Sequence, residues 1–448
     1  MDIRRKIDMS RMSAYQWVIV ALAALLNALD GYDVLAMAFT ATSVTQEFSL
    51  SGSQLGWLLS AGLIGMAAGS LALGPFADRY GRRKILLVSL GLNGLGLLLS
   101  STADSAIELG LWRVLTGLGV GGILATVTVI TSEYSNNRHR GMAISIYTAG
   151  YGVGATLGGM GATQLIPAFG WRSVFLAGAI VTAASVILVI LVLPESVDYY
   201  RARRPRGADE KLARIARRIG LEGDIEFGAP SVSITSENKS SVGQLFDTRY
   251  RVPSLLLWIS FFVIMFGFYF ANSWTPKLLV ESGMSEQQGI LGGLMLTMGG
   301  TFGSLLYGVI TTRRNERLTL IAFTVLAAVT LVLFITTTSI PTLAFISGVL
   351  VGMLINGCVA GLYTVAPQTY SPDIRTTGVG WGIGVGRIGA ILAPILVGAL
   401  LDSGWSPTQL YIGVAVVVVL AALALLKLRP YKANEDSISG NSPMVTTN

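Results

Sequence analysis

The chain has 448 residues, of which 52% are hydrophobic and only 13% charged, and its mean hydropathy is +0.63. That composition excludes a water-soluble enzyme. A single Cys (Cys358) excludes an intramolecular disulfide, and a single His (His139) excludes a His-rich metal site, so neither a metal nor another cofactor is expected. The net charge of +7 fits either an acidic partner or the positive-inside bias of a membrane protein, and the placement of the cations decides between them.

Apolar stretches near the roughly 20 residues that cross a bilayer recur twelve times. In chain order they cover 15–40, 53–77, 85–101, 106–134, 141–166 and 171–193, then 253–278, 285–311, 318–336, 341–369, 376–401 and 407–428. Arg4, Arg5 and Lys6 precede the first stretch, and Ala21-Leu22-Ala23 imitates a cleavage site. The apolar core ahead of that triplet is too short for a signal peptide, so the first span is expected to be retained. Alternating the loops puts 28 of the 32 Lys and Arg on one side, whereas Arg172 and Lys277 lie opposite and Arg113 and Arg387 fall inside spans. The positive-inside rule therefore places both termini and the central segment in the cytoplasm of a cell-membrane protein. The cations are dispersed and have no interleaved aromatic platform, which argues against nucleic acid as a partner.

The segment 195–251 is the long polar stretch, and within it 208–220 carries Leu212, Ile215, Ala216 and Ile219 at helical spacing on a basic background. An interfacial helix lying on the anionic inner leaflet is expected there, with a regulatory-partner site as the alternative. The Ser-, Asn- and Thr-rich tail is expected to be disordered. An internal repeat divides the chain: Glu133-Tyr134-Ser135 followed by Arg140 aligns with Thr369-Tyr370-Ser371 followed by Arg375, and Gly154-Ala155 aligns with Gly389-Ala390. The expected fold is thus an all-α membrane protein of twelve transmembrane helices in two six-helix pseudo-symmetric halves. Its parts are 1–194, a central cytoplasmic loop 195–251 with a short amphipathic helix, 252–429, and a cytoplasmic tail 430–448.

Four intramembrane charges stand out, because an ionised group near the bilayer centre costs roughly 2.5–3.5 kcal/mol on insertion scales. Asp30 and Asp33 sit three residues apart in the first span, near one helix face. Two close carboxylates in a low dielectric resist simultaneous ionisation, so one is expected to hold a proton near neutral pH. At about 1.5 Å per residue, Asp33 is depth-matched to Arg113 at the outer start of the fourth span. Asp33 with Arg113 is the expected pair, serving proton coupling or simply holding two helices together; snorkelling of Arg113 to the interface is the other reading. Arg113, Gly117 and Gly121 share one helix face. Arg387 lies about 18 Å into the eleventh span without an obvious partner acid in its own half. It is expected to receive an anionic substrate, with pairing to Asp30 across the halves as the alternative. The surrounding glycines from Gly378 to Gly389 lack the preceding strand of a dinucleotide fingerprint. Tyr147, Tyr151, Phe268, Tyr269, Asn272, Asn356, Tyr363 and Trp381 are candidates for the rest of a pocket, Trp274 is assigned to the outer aromatic belt, and Cys358 to the core.

Between the second and third spans stands Gly74-Pro75-Phe76-Ala77-Asp78-Arg79-Tyr80-Gly81-Arg82-Arg83-Lys84. A small Gly74 suits close helix approach, and Asp78 suits a helix N-terminus or a pair with Arg82. This loop resembles the G-x-x-x-D-R-x-G-R-R-K signature of the major facilitator superfamily. The resemblance implies a conformational latch formed by Gly74, Asp78, Arg79, Gly81 and Arg82, with Glu133 as the carboxylate facing Arg82. The second-half loop 308–317 keeps Gly308 and Arg313 but has Thr312 in place of the Asp, so its latch is expected to be weaker. Asp30-Gly31-Tyr32-Asp33, Glu133-Tyr134 and Gly386-Arg387-Ile388-Gly389-Ala390 narrow the likeness, over essentially the whole chain, to the bacterial aromatic acid:proton symporter family. It implies import of a benzoate-, hydroxybenzoate- or gentisate-like carboxylate. Asp30 and Asp33 would be required for transport, and Arg387 would hold the substrate carboxylate. The partners implied are a small aromatic carboxylate, protons and the lipid bilayer, with the protein acting as a monomer by alternating access.

Three rivals follow from the same residues. A sugar symporter of this fold should carry more Gln and Asn in the pocket. A drug exporter usually has Gly-Pro in the fifth span where this chain has Gly154-Ala155. A receptor would need a signalling domain larger than the central segment.

Overall fold

The computed structural model describes residues 3–221, 243, 245–370 and 374–428; the tail expected to be disordered lies outside the described residues, as does Ser371 of the repeat. Fifteen α-helices and one 3₁₀ turn make up the described chain. The first half holds α1 (Ile3–Met9), α2 (Ala14–Phe48), α3 (Gly52–Tyr80), α4 (Arg82–Ser100), α5 (Ala106–Glu133), α6 (Arg140–Phe169) and α7 (Arg172–Val192). Two short helices follow, α8 (Val197–Arg203) and α9 (Ala208–Arg218). The second half holds α10 (Arg251–Glu281), α11 (Glu286–Thr311), α12 (Glu316–Thr336), α13 (Pro341–Val365), α14 (Arg375–Asp402) and α15 (Pro407–Lys427).

The twelve long helices fall on the twelve predicted spans, and eleven are long and apolar enough to cross a membrane. The other is α6, whose seven glycines and several hydroxyl side chains dilute its hydropathy. The first span is longer than predicted because α2 continues through the polar run from Ala41 to Phe48 and stops only where Ser49 turns left-handed. Conversely, the tenth span breaks early. Pro367 supplies no N–H, and α13 gives way to a 3₁₀ turn over Ala366–Thr369. Serine N-caps reciprocated by Gln three residues on start α2, α3, α11 and α15, a sequence signal for helix starts that hydropathy alone does not register. Ile107, Ile180, Leu191, Val309 and Val416 are exposed on the outer faces, as contact with lipid tails requires.

Glycine sets how closely these helices meet. A Cβ on Gly154 would overlap the Ala28 carbonyl, and one on Gly389 would overlap the Phe262 carbonyl. The aligned glycines of the repeat thus seat α6 on α2 and α14 on α10, the same pairing in each half. The pattern recurs where Gly117 meets Gly62 (α5 on α3) and Gly352 meets Leu296 (α13 on α11). Such backbone approach is how apolar helices gain dispersion energy in lipid, where no hydrophobic effect drives them together.

The halves touch mainly through α3 with α14, α6 with α11, and α2 with α10. Hydrogen bonds joining them lie away from the basic loops. Asp402 at the end of α14 accepts from the Gly52 and Ser53 N–H groups at 2.6 and 2.8 Å, the Ser43 hydroxyl donates to Glu286 at 2.5 Å, and the Ser60 hydroxyl donates to the Ile391 carbonyl at 2.7 Å. A cavity of about 670 Å³ between the halves at this end is lined by Ser43, Glu47, Trp171 and Glu286.

The helix α9 departs from expectation. Its apolar stripe does not face outward to a leaflet: Leu212, Ile215 and Ile219 are buried with Ile3, Ile7, Leu86 and Val197 in one cluster beneath the first half. Arg218 donates to the Tyr15 hydroxyl, and Lys211 lies over the Tyr200 ring. A stripe this narrow is satisfied by the chain's own apolar residues, so it needs no bilayer.

Candidate functional site

Asp33 and Arg113 meet in the core of the first half, both almost fully enclosed. Arg113 Nη1 donates to Asp33 Oδ1 at 2.6 Å, and Nη2 donates to Oδ2 at 3.3 Å and to the Asp33 carbonyl at 2.9 Å. The Phe175 ring lies 5.7 Å from the guanidinium, and the absent side chain of Gly62 leaves room for Nη2. This is a bidentate pair between α2 and α5, which rules out the snorkelling alternative for Arg113 in this conformation.

Asp30, one turn away, is treated differently. It is 6% exposed, yet its Oδ1 has no hydrogen-bond partner in the protein. It lies within electrostatic range of Arg387, but the two close no salt bridge. Arg387 projects from α14 toward the first half, where Nη1 rests on the Met66 sulfur at 2.8 Å, and it is also in range of Tyr151, Tyr269 and Tyr363. The Tyr151 hydroxyl is enclosed and likewise unpartnered. A carboxyl, a guanidinium and three phenols from α2, α14, α6, α10 and α13 therefore converge at the junction of the halves. Arg387 has no counterpart cation: the aligned position in the first half is Gly152, which packs against Thr301.

Other predicted pocket residues separate from this centre. The Tyr147 hydroxyl accepts from Thr128 at 3.0 Å, and its carbonyl accepts from Asn27 at 2.9 Å, so it ties α6 to α5 and α2. Asn272 donates to the Phe268 carbonyl at 2.8 Å and Asn356 to the Gly352 carbonyl at 3.1 Å, each within its own helix, and Asn356 also fills the space over Gly300. Trp381 is 44% exposed and stacks on Trp258 at 5.7 Å, six residues and about 9 Å from Arg387 toward the basic end. Trp274 is fully buried among the core of the second half, not in an outer belt.

At the basic end, Arg82 forms an ion pair with Glu133 and lies 3.3 Å from Asp78, whose side chain is 69% exposed. Glu133 also accepts from the Ser196 hydroxyl at 2.6 Å, while Arg4 of α1 donates to its backbone carbonyl. Gly81 has φ +111°, and a Cβ there would overlap the Glu195 carboxylate, which accepts from the Arg83 and Ser196 N–H groups at 2.9 and 3.0 Å. Gly74 does not serve close approach here: a Cβ would meet only Ala125 at an ordinary 3.8 Å, because α3 and α5 have already diverged from their contact at Gly69 and Gly121. Arg79 lies over the Tyr80 ring and makes no ion pair among the described residues. Sequence reading missed Glu195, Ser196 and Arg4; the available signal was a carboxylate directly after Pro194, where α7 ends. In the second half Gln368 donates to Glu316 where the first half has the Arg82 to Glu133 ion pair. An amide thus replaces a charge.

A sequence profile described as the Major Facilitator Superfamily matches residues 20–330 and 288–446. The chain belongs to the Major Facilitator Superfamily. Among curated members it is 34% identical to a gallate transporter of Pseudomonas putida, with 95% of this chain and 94% of that protein covered. It is 33% identical to a 4-hydroxybenzoate transporter of Acinetobacter baylyi, with 95% and 93% covered, and 26% identical to a benzoate transport protein of the same organism, with 100% and 97% covered. Among solved structures, the inward-open xylose transporter XylE from E. coli superposes with a TM-score of 0.72 at 17% identity, covering 94% of this chain and 98% of that one. That likeness carries the superfamily fold, and the eleven apolar spans make this member a multi-pass membrane protein.

Proposed function

We propose that the protein imports an aromatic carboxylate together with a proton by alternating access, and is not an enzyme. The single observation that carries this reading is Arg387: a guanidinium at mid-depth, facing the other half, with a thioether and no carboxylate within salt-bridge distance. A half-buried cation with no carboxylate in contact is poorly compensated, and an anionic substrate would offset this through charge-assisted bidentate hydrogen bonds. The names of the curated relatives supply the class, aromatic acids.

Asp30 is the proton site in this reading. Ionised, it attracts Arg387 from beyond salt-bridge distance and competes with the substrate for it; protonated, it leaves the guanidinium to the incoming carboxylate. Asp33 and Arg113 hold α2 and α5 so that Asp30 keeps its place, and the Arg82 to Glu133 ion pair braces the basic end. With the termini and basic loops in the cytoplasm, the joints that Asp402 and Glu286 make at the far end support reading this state as closed to the outside. The halves then rock about the central site, and one chain suffices.

Uptake into proteoliposomes under an imposed pH gradient tests the whole reading. Labelled 4-hydroxybenzoate or benzoate should accumulate, a protonophore should abolish the accumulation, and Asp30→Ala and Arg387→Ala variants that still insert should show none. Normal accumulation by Asp30→Ala would remove the proton assignment. Accumulation of labelled xylose in place of either acid would favour the sugar-symporter alternative.

A further inference from the structure

We propose that Tyr151, beside Asp30, forms a subsite for a ring hydroxyl of the substrate, so that the protein selects hydroxylated aromatic acids over unsubstituted ones. The proposal rests on the reading of Arg387 as the carboxylate receptor and extends it to the far side of the ring.

Two enclosed polar atoms at the centre, Tyr151 Oη and Asp30 Oδ1, make no hydrogen bond within the protein. Nearby hydroxyls differ: those of Tyr147 and Tyr32 meet Thr128 and the Val174 carbonyl. The position of Tyr151 is closely determined. A Cβ on Gly31 would overlap the Tyr151 carbonyl, and the flanking Gly150 and Gly154 seat α6 on α2 at Ala24 and Ala28. The Tyr151 backbone therefore rides directly beside the Asp30-Gly31 turn. By helix rise, Tyr151 lies about 17 Å from the basic start of α6 and Arg387 about 18 Å from the start of α14, so the two face one another at one depth from opposite halves. Tyr269 and Tyr363 border the guanidinium on its own side.

A carboxylate on Arg387 would direct its ring away from α14, toward Tyr151 and Asp30. A phenol hydroxyl both donates and accepts, so it can donate to the Asp30 carboxyl oxygen and accept from Tyr151 Oη, meeting both unpartnered atoms at once. An unsubstituted ring can meet neither, and a site built around buried hydrogen-bonding groups discriminates strongly against a substrate that leaves them unpaired. The aromatic acid then spans the two halves, its carboxylate on one and its hydroxyl on the other.

The test compares wild type and Tyr151→Phe, full length in proteoliposomes, for kcat/KM with 4-hydroxybenzoate, 3-hydroxybenzoate and benzoate. The variant keeps the ring and the helix contact and removes one oxygen. Wild type should favour at least one hydroxylated acid over benzoate, and Tyr151→Phe should cut that preference, the ratio of the two kcat/KM values, about tenfold. Equal loss for all three acids would show a structural role and overturn the subsite, as would a preference that survives the substitution. If benzoate is carried equally well by both forms and no hydroxylated acid is favoured, the subsite fails while the carboxylate reading stands. If wild type carries none of the acids, both fail.

Discussion

Two aspartates one helical turn apart have opposite surroundings, and that contrast organises the residue scale. Asp33 is closed by Arg113, whereas Asp30 faces Arg387 without touching it. Removing one member of a buried pair strands the other, at about 3–5 kcal/mol. Arg113→Met should therefore lower the melting temperature of the detergent-purified protein by many degrees, with poor insertion. Asp30→Asn, which keeps shape and removes only an unpaired charge, should melt at or above the wild-type temperature while losing gradient-driven accumulation. Equal destabilisation by the two substitutions would contradict the division of labour between them. The i, i+3 spacing was legible in the sequence, and so was the depth match of Asp33 with Arg113. The lack of any contact between Asp30 and Arg387 was not, because it depends on how far apart the two halves stand.

At the scale of helices, glycine positions decide which contacts are obligatory. Gly154→Leu would drive a side chain into the Ala28 carbonyl and should abolish folding, whereas Gly161→Ala, with open space around it, should express normally. The basic loop gives a finer contrast. Gly81→Ala must bear a positive φ, at about 1–2 kcal/mol, and must displace Glu195 from the start of α4. Gly74→Ala should stay within about 0.5 kcal/mol of wild type. Thermal unfolding of the two variants measures the difference, and equal melting would mean that the left-handed turn is not required. Both glycines belong to one motif, so the string of residues ranks them equally; only the chain path past Glu195 separates them.

For the whole molecule, the far end is joined across the halves by two carboxylates of the second half, Asp402 on the α3 N-terminus and Glu286 on Ser43. A negative group at a helix N-terminus meets unpaired N–H donors and the positive end of the helix dipole. Asp402→Ala combined with Glu286→Ala should therefore shift the population toward a state parted at that end. Spin labels at Gln46 and Gln287, which line the far-end cavity from the first and second halves, should show a longer distance component in the double variant than in an otherwise wild-type background. An unchanged distance distribution would mean that apolar packing of α3 on α14 holds this end without the carboxylates.

The sequence by itself determined the twelve helices, the duplicated half and the four intramembrane charges. These follow from local rules: about 20 apolar residues cross a bilayer, a repeated motif repeats its packing, and a charge in lipid must have a reason. It also singled out the loop from Gly74 to Lys84, whose composition is unusual on its own. Tertiary structure decided which charges meet. Glu195 reaches Gly81 from more than a hundred residues away, α9 turns its apolar stripe onto α1 and α8 instead of a leaflet, and Asn356 fills the space over Gly300 instead of facing Arg387. Each of these depends on distances between helices set by glycine contacts spread along the chain. No periodicity within one span encodes them, and the convergence of Asp30, Tyr151 and Arg387 exists only once two separately built halves are set against each other.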